Sequence, residues 1–138
     1  MKIEAVIFCE GQVNLTGPGG GNKPAIINPT YSFRLKYIPS AFSFSVFIMT
    51  RGISEKDTEV RIVFQKPGSD VIIMDSSSII PANIPYIKGL AREIAGLNIN
   101  AQLTNVTFEN EGIYKCSIYV DGVLEKESDL YIDKEPVE

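Results

Sequence analysis

Apolar and polar residues alternate in short runs along this chain, and turn-forming residues separate the runs. A period of two places successive side chains on opposite faces of an extended backbone, so each run predicts a β-strand with one buried face. The runs cover residues 2–9, 31–37, 42–49, 59–65, 71–74, 98–108, 114–120 and 130–132. Residues 66–70 read Lys-Pro-Gly-Ser-Asp and predict a hairpin turn between two of these strands. The pattern therefore predicts an all-β chain.

The alternation also predicts which side chains are buried. Val60, Ile62 and Phe64 face inward in the strand over residues 59–65. The buried faces predicted for the first two runs are Ile3, Ala5, Ile7 and Cys9, and Tyr31, Phe33, Leu35 and Tyr37. The same alternation predicts that residues 12–16 continue the first strand. The later half of residues 42–49 is apolar on both faces, so we expect it to be covered on both sides.

Residues 108–122 carry the most specific pattern in the chain. The inward set is Tyr114, Cys116, Ile118 and Val120, and the outward set is Lys115, Ser117 and Tyr119. Asp121 and Gly122 then favour a tight hairpin. In sandwich domains, a tyrosine two residues before a cysteine in such a strand often hydrogen-bonds back to the preceding corner. We therefore expect a structural corner at Gly112 and Tyr114.

Residues 75–96 have a weaker pattern than the rest of the chain. The serines at 76–78 and Pro81 favour a loop. Residues 85–95 fit a short amphipathic helix, with a proline near its start and Gly96 at its end. The apolar face of that helix would be Ile87, Leu90, Ala91 and Ile94.

The number and spacing of the strands predict an immunoglobulin-like antiparallel β-sandwich of about seven to nine strands with one short helix. The chain has 138 residues, of which 44% are hydrophobic and 22% charged, which is ordinary for one globular domain. We place that domain at residues 1–133 and expect residues 134–138 to form a polar, frayed tail.

The net charge of −4 and the scattered lysines and arginines argue against a nucleic-acid partner. The apolar run of residues 5–9 is too short for the apolar part of a signal peptide, and no membrane span is expected. The sequence therefore predicts a cytoplasmic protein. In that compartment Cys9 and Cys116 are expected to be buried thiols, with a disulfide between the two strands as the alternative.

The sequence offers little catalytic chemistry. It has no histidine, which removes the commonest general base and the commonest zinc ligand. Acidic residues cluster at Glu109 and Glu111 and in residues 55–59 and 125–129, without the spacing of a calcium loop. Alternating charges on a strand are more often a solvated face. We therefore predict no catalytic, cofactor-binding or metal-binding residue, and no enzyme activity.

The glycine-rich segment before residue 25 is the candidate site for a partner. Strand cores are occupied by packing, so recognition falls to loops and sheet edges. The predicted partner-binding loop comprises Gly17, Gly19, Gly20, Gly21, Asn22 and Lys23. Only Asn22 and Lys23 offer polar side chains there, and the alternative is a simple connection between strands.

The chain resembles a family of small bacterial and prophage-associated immunoglobulin-like sandwiches of unknown function. The resemblance rests on residues 3–8, the glycine-rich turn, residues 31–37, and above all residues 103–108 with 111–114 and 120–122. It implies a fold and a bacterial or phage origin, and it supplies no substrate or cofactor. We therefore expect a non-enzymatic binding module with a protein partner. The alternative is a phage virion or assembly component, an enzyme ranks third, and the sequence is compatible with a homo-oligomer.

Overall fold

The computed structural model describes residues 1–16, 22–52, 54–82, 91 and 94–136, without the side chains of Asn22 and Pro24. Within these ranges the chain forms ten β-strands and no helix. The strands are β1 (Lys2–Cys9), β2 (Gly11–Thr16), β3 (Asn22–Ile27), β4 (Ser32–Leu35), β5 (Ser40–Arg51), β6 (Thr58–Gln65), β7 (Ile72–Ile80), β8 (Gly96–Phe108), β9 (Gly112–Val120) and β10 (Val123–Lys134). The predicted all-β class is confirmed for the described residues, which contain more strands than the seven to nine expected.

The strands form two large sheets and a separate ribbon. One sheet has the order β1-β5-β8, the second has the order β4-β10-β9-β6-β7, and β2 pairs with β3 alone. The pairing is antiparallel except between β4 and β10, which run parallel. Buried apolar side chains from both large sheets make one core, as in a β-sandwich.

Aromatic rings join the two sheets across this core. The ring of Phe44 in β5 lies 5.7 Å from that of Phe64 in β6, edge to face, and 6.0 Å from that of Phe108 in β8. The ring of Phe108 meets that of Tyr114 in β9, also edge to face, with 5.0 Å between their centroids. Such pairs stabilise by about 1 kcal/mol beyond the area that they bury. The rings thus fix the sheets against one another.

Burial along β5 and β6 follows the predicted alternation. Val60, Ile62 and Phe64 all lie in the core. In β5, Ser45 and Phe47 are buried on the face turned away from the core cluster, as expected for a strand covered on both sides, whereas Met49 on the same face is 41% exposed.

The prediction for the first strand is wrong at Ala5 and Ile7, although Ile3 and Cys9 are buried as predicted. Ile3 is buried, but a register shift between Ile3 and Ala5 inserts one extra residue opposite β5. A bulge of this kind reverses the alternation that follows it. Phe8 therefore lies in the core in place of Ile7, which is half-buried. The next residues, 12–16, do not continue β1 but form β2 in the separate ribbon.

The prediction for residues 31–37 holds only in the middle of the run. Phe33 and Leu35 are buried in β4, which pairs with just four residues of β10. Tyr31 and Tyr37 lie beyond that short ladder and remain 78% and 66% exposed. In the part of the chain that the structure describes, neither tyrosine belongs to a strand.

The serine-rich segment is a strand rather than the predicted loop. Ser76, Ser77 and Ser78 pair with Ile62, Arg61 and Val60 of β6, and β7 continues to Ile80. A partner strand with a strong alternating pattern therefore overrides the weak strand preference of serine. The helix predicted near 85–95 lies mostly outside the described residues. At its end the amide of Ala95 donates to the carbonyl of Ala91 (2.9 Å).

The predicted polar tail begins too early. Strand β10 runs through Lys134, whose amide donates to Oε1 of Glu111 (2.9 Å). The amide of Glu135 donates to the carbonyl of Leu35 (2.8 Å). These bonds hold residues 134 and 135 against β4 and the turn before β9, so the first residues of the expected tail are paired.

Two turns frame β9. The hydroxyl of Tyr114, which is 1% exposed, donates to the carbonyl of Asn110 (2.7 Å) and accepts from the Asn110 amide (3.3 Å). Gly112 adopts φ 135°, which L side chains rarely adopt. Beyond β9, Asp121 and Gly122 have φ of 48° and 81°, as the predicted tight hairpin requires. These turns set where β9 starts and ends.

The hydroxyl of Tyr114 should contribute measurably to stability. We expect Tyr114→Phe to lower the free energy of unfolding by about 1 kcal/mol, because the variant loses both hydrogen bonds to Asn110 while keeping the ring packing. Chemical denaturation of the two proteins measures this difference. Tyr37→Phe, at an exposed position, is the control and should leave the midpoint unchanged; an equal midpoint for Tyr114→Phe would contradict the role of the hydroxyl.

Candidate functional site

The predicted partner-binding loop is only partly within the described residues. Gly17, Gly19, Gly20 and Gly21 lie outside them. Asn22 and Lys23 begin β3, where Lys23 pairs with Leu15 of β2. A loop that extends through residue 24 is therefore wrong at residues 22–24, because these three residues belong to β3.

The β2–β3 ribbon presents an apolar face to solvent. The opposed pairs Gly11–Ile27, Val13–Ala25 and Leu15–Lys23 share this side, since residues directly opposite in an antiparallel pair point the same way. Val13, Leu15 and Ile27 are 42%, 56% and 42% exposed. We call the side chains of Val13, Leu15, Lys23, Ala25 and Ile27 the ribbon face.

Backbone hydrogen bonds fix the base of the ribbon to β1. The amide of Glu10 donates to the carbonyl of Ile27 (3.0 Å), and the amide of Thr30 donates to the carbonyl of Phe8 (2.8 Å). On the opposite side of the ribbon, Gln12 and Ile26 are both half-buried. The ribbon thus has one partly covered side near its base and one side that carries exposed apolar groups.

A polar cavity of about 310 Å³ opens beside the β6–β7 turn. Its lining residues are Gln65, Lys66, Gly68, Ser69, Asp70, Ile113, Lys115 and Asp129. Lys115 and Asp129 oppose one another on β9 and β10. Because two lysines and two aspartates line it, the cavity offers polar contacts without a net charge.

A second cavity, of about 260 Å³, lies on the other side of the same turn. It is lined by Lys66, Val71, Ile73, Thr107, Glu109, Asn110 and Tyr114. Burial raises the pKa of Tyr114, partly opposed by its hydrogen bond to Asn110. The buried hydroxyl is therefore neutral at neutral pH and donates its proton to the carbonyl of Asn110.

Arg61, Asp75 and Tyr119 form a cluster on the outward face of the five-stranded sheet. Arg61 donates to both carboxylate oxygens of Asp75, at 2.8 and 2.6 Å. The same guanidinium lies 5.6 Å from the centre of the Tyr119 ring. The hydrogen bond from Arg61 lowers the pKa of Asp75. Because the ion pair is well exposed, it adds little stability. The positive charge of Arg61 nevertheless offsets the negative charge of the Asp75 carboxylate.

The two cysteines are free and buried. Burial raises the pKa of the Cys116 thiol to about 12. Burial also raises the pKa of Cys9, with partial opposition from the backbone of Gly11, and the thiol contacts the carbonyl of Ser45 at 3.7 Å. Thiolate is the reactive form, so both groups are inert at neutral pH. The expected buried thiols are therefore found.

Neither a metal site nor a membrane helix is found in the part of the chain that the structure describes. No three His, Cys, Asp or Glu side chains of those residues come together as metal ligands would. The same residues form no helix long and apolar enough to cross a membrane.

The sequence contained a signal for the ribbon that the alternation analysis missed. Val13 and Leu15 precede the glycine-rich segment with a two-residue spacing, and Ala25 and Ile27 follow it with the same spacing. Two alternating runs around a turn predict a hairpin. A wide hairpin tip is one interpretation of the glycine-rich segment, but a first strand that continues through residues 12–16 leaves residues 23–27 without this partner.

Comparison with known proteins adds no functional assignment. No protein-family model matches the chain, and no match was found among curated proteins or solved structures. Among the described residues, the ribbon face gathers three exposed apolar side chains on one side of a separate two-stranded ribbon.

Both thiols should resist alkylation in the folded protein. At pH 8 we expect iodoacetamide to label neither Cys9 nor Cys116, and to label both after denaturation without reductant, as mass spectrometry would show. Asn100→Cys, at an exposed position of β8, supplies a thiol that should react at once and serves as the control. Rapid labelling of the folded native protein, or no labelling after denaturation, would contradict free buried thiols.

Burial of Cys116 should also make stability fall at high pH. Between the ordinary thiol pKa of 9.0 and the native value of about 12, the unfolded chain releases a proton that the folded chain retains. The unfolded state then binds fewer protons, so the free energy of unfolding decreases as pH rises. Denaturation at pH 8, 9 and 10 should show a steeper decline for the native chain than for Cys116→Ala; equal slopes would contradict the shifted pKa.

Proposed function

We propose that this chain is a non-enzymatic binding module with an immunoglobulin-like sandwich, of bacterial or prophage origin, which holds a protein partner on the ribbon face. The observation that carries the binding role is the exposure of Val13, Leu15 and Ile27 on one side of a two-stranded ribbon. Exposed apolar groups gathered on one surface are typical of sites that bind another protein.

The strand order supports the immunoglobulin-like assignment. In that fold, strands A, B and E share one sheet, and G, F and C share the other, which gains C′ in variable-type domains. The orders β1-β5-β8 and β10-β9-β6-β7 match these two sets. The hydrogen bond from Tyr114 to Asn110, two residues before Cys116, matches the tyrosine corner of the fold.

The energetics of the ribbon favour a bound partner. A two-stranded hairpin is at best marginally stable by itself, and this ribbon has no third strand among the described residues. Covering the exposed half of Val13, Leu15 or Ile27 would contribute about 1 kcal/mol for each side chain. A partner would therefore stabilise the ribbon while gaining affinity from the same surface.

The chemistry of the ribbon face indicates what the partner must offer. Three exposed apolar side chains need an apolar patch of similar width, and Lys23 stands exposed beside Leu15. An acidic group at the margin of that patch would pair with Lys23 and set the orientation of binding. Residues 17–21 join β2 to β3 in sequence, and we propose that they contact the same partner, as the sequence predicts.

Site-specific photocrosslinking tests this role. With p-benzoylphenylalanine at Leu15, we expect irradiation in cells of the natural host to give one discrete adduct, which Lys23→Glu should weaken because it reverses the charge beside the apolar patch. The matched control carries the crosslinker at Met49, which is 41% exposed on β5. Adducts of equal yield at both positions, or none at Leu15, would contradict the proposal; an adduct with particle proteins would select the virion alternative.

A further inference from the structure

The outer edges of the two large sheets are protected to different degrees. Among the described residues, β1 and β8 border the three-stranded sheet, and β4 and β7 border the five-stranded sheet. An edge strand exposes unpaired amide and carbonyl groups, and proteins usually protect it with charges, bulges, proline or short length. Strands β1 and β4 have such protection, whereas β8 has it only near its C-terminal end.

Each protected edge uses a recognisable device. On β1, Glu4 forms the bulge and pairs with Arg51 at 2.9 Å. On β8, an extra residue next to Asn105, which has φ 53°, interrupts the ladder between Leu103 and Val106. Residues 96–103 of β8 pair without a shift and carry no charge, so the β8 variant in the test below also reports on that edge. Strand β4 has only four residues and contains a charged arginine. These features hinder the addition of another strand.

Strand β7 lacks these protections over most of its length. Its nine residues contain no lysine, arginine or proline. The one charged side chain, Asp75, accepts two hydrogen bonds from Arg61, whose positive charge offsets that of the carboxylate. From Met74 to Ile80 the pairing with β6 has no register shift, and Ile79 is 60% exposed. Seven consecutive residues of β7 thus form an edge without a bulge, along which another strand could pair.

The sequence of this regular part suits pairing with itself. A two-fold axis perpendicular to the sheet through Ser77 would place Ser76 opposite Ser78 and Met74 opposite Ile80 of a second copy. Met74 and Ile80 both pack against the core from the inner side of the sheet, so the paired apolar groups would extend that layer. Asp75 would face Ile79 of the second copy rather than another carboxylate. No like charges would therefore oppose one another directly.

We propose that two copies of this chain pair antiparallel along β7, so that their five-stranded sheets join into one continuous sheet of ten strands. The contact is isologous, because the same edge serves both copies. It is independent of the ribbon face and adds a second, self-directed interaction to the proposed binding role. An interface formed mainly by one strand from each copy is small, so the dimer exchanges with monomer.

Sedimentation velocity over a concentration series tests the pairing. We expect the native chain to shift from monomer to dimer as its concentration rises. Ser77→Lys places two ammonium groups near the two-fold axis and should raise the dimer dissociation constant at least tenfold. Asn100→Lys, at an exposed and regularly paired position of β8, is the matched control and should dimerise like the native chain.

Disulfide trapping tests the register of the same pairing. Residues directly opposite on antiparallel strands lie at separations that a disulfide can span, so mild oxidation should link Ser77→Cys into dimers. The corresponding Asn100→Cys variant should stay monomeric on a non-reducing gel. A native chain that stays monomeric at every concentration, a Ser77→Lys variant that dimerises as tightly as the native chain, or equal linking at both positions would overturn the proposal.

Discussion

The packing of aromatic rings between the two large sheets is the interaction on which the rest of the structure depends. Phe44 sits in the middle of this cluster, within ring contact of Phe33 and Phe64 from the facing sheet and of Phe42 and Phe108 from its own. The ring of Phe108 then reaches Tyr114, which hydrogen-bonds to the turn before β9. One continuous set of contacts therefore fixes the spacing of the sheets and the start of a central strand.

The inward side chains of both large sheets are packed in the core. Surfaces that could bind another molecule therefore lie at the edges of the sheets and on their outward faces. A bulge interrupts regular pairing near the start of β1 and another near the end of β8, while β7 keeps a regular edge from Met74 to Ile80. The ribbon exposes side chains, whereas β7 exposes backbone groups. Partners of the ribbon would gain affinity from apolar burial, and a strand added to β7 would gain it from hydrogen bonds.

Sequence alternation predicted the core wherever the backbone kept a strict two-residue period. It identified the inward faces of β6 and β9, including Tyr114 and Cys116. It failed in β1, where a single inserted residue reversed the faces, since no local residue type announces a bulge. It also failed for the serines of β7, which form a strand, and for Tyr31, which is exposed. Both outcomes depend on which strand lies alongside rather than on the local sequence. The ribbon face could have been predicted from the sequence, because apolar residues alternate with the same two-residue spacing before and after the glycines.

The topology allows both proposed surfaces to be occupied at once. The ribbon enters the fold just before β4, which forms one edge of the five-stranded sheet, and β7 forms the opposite edge. With β10, β9 and β6 between them, and a spacing of about 4.8 Å between neighbouring strands, β4 and β7 are roughly 19 Å apart. The base of the ribbon is hydrogen-bonded to β1, which contacts β10 rather than bordering β7, so pairing along β7 would not use the residues that hold the ribbon. A two-fold dimer would then present two identical apolar faces, and a partner with repeated sites would bind both with an avidity that neither face provides alone.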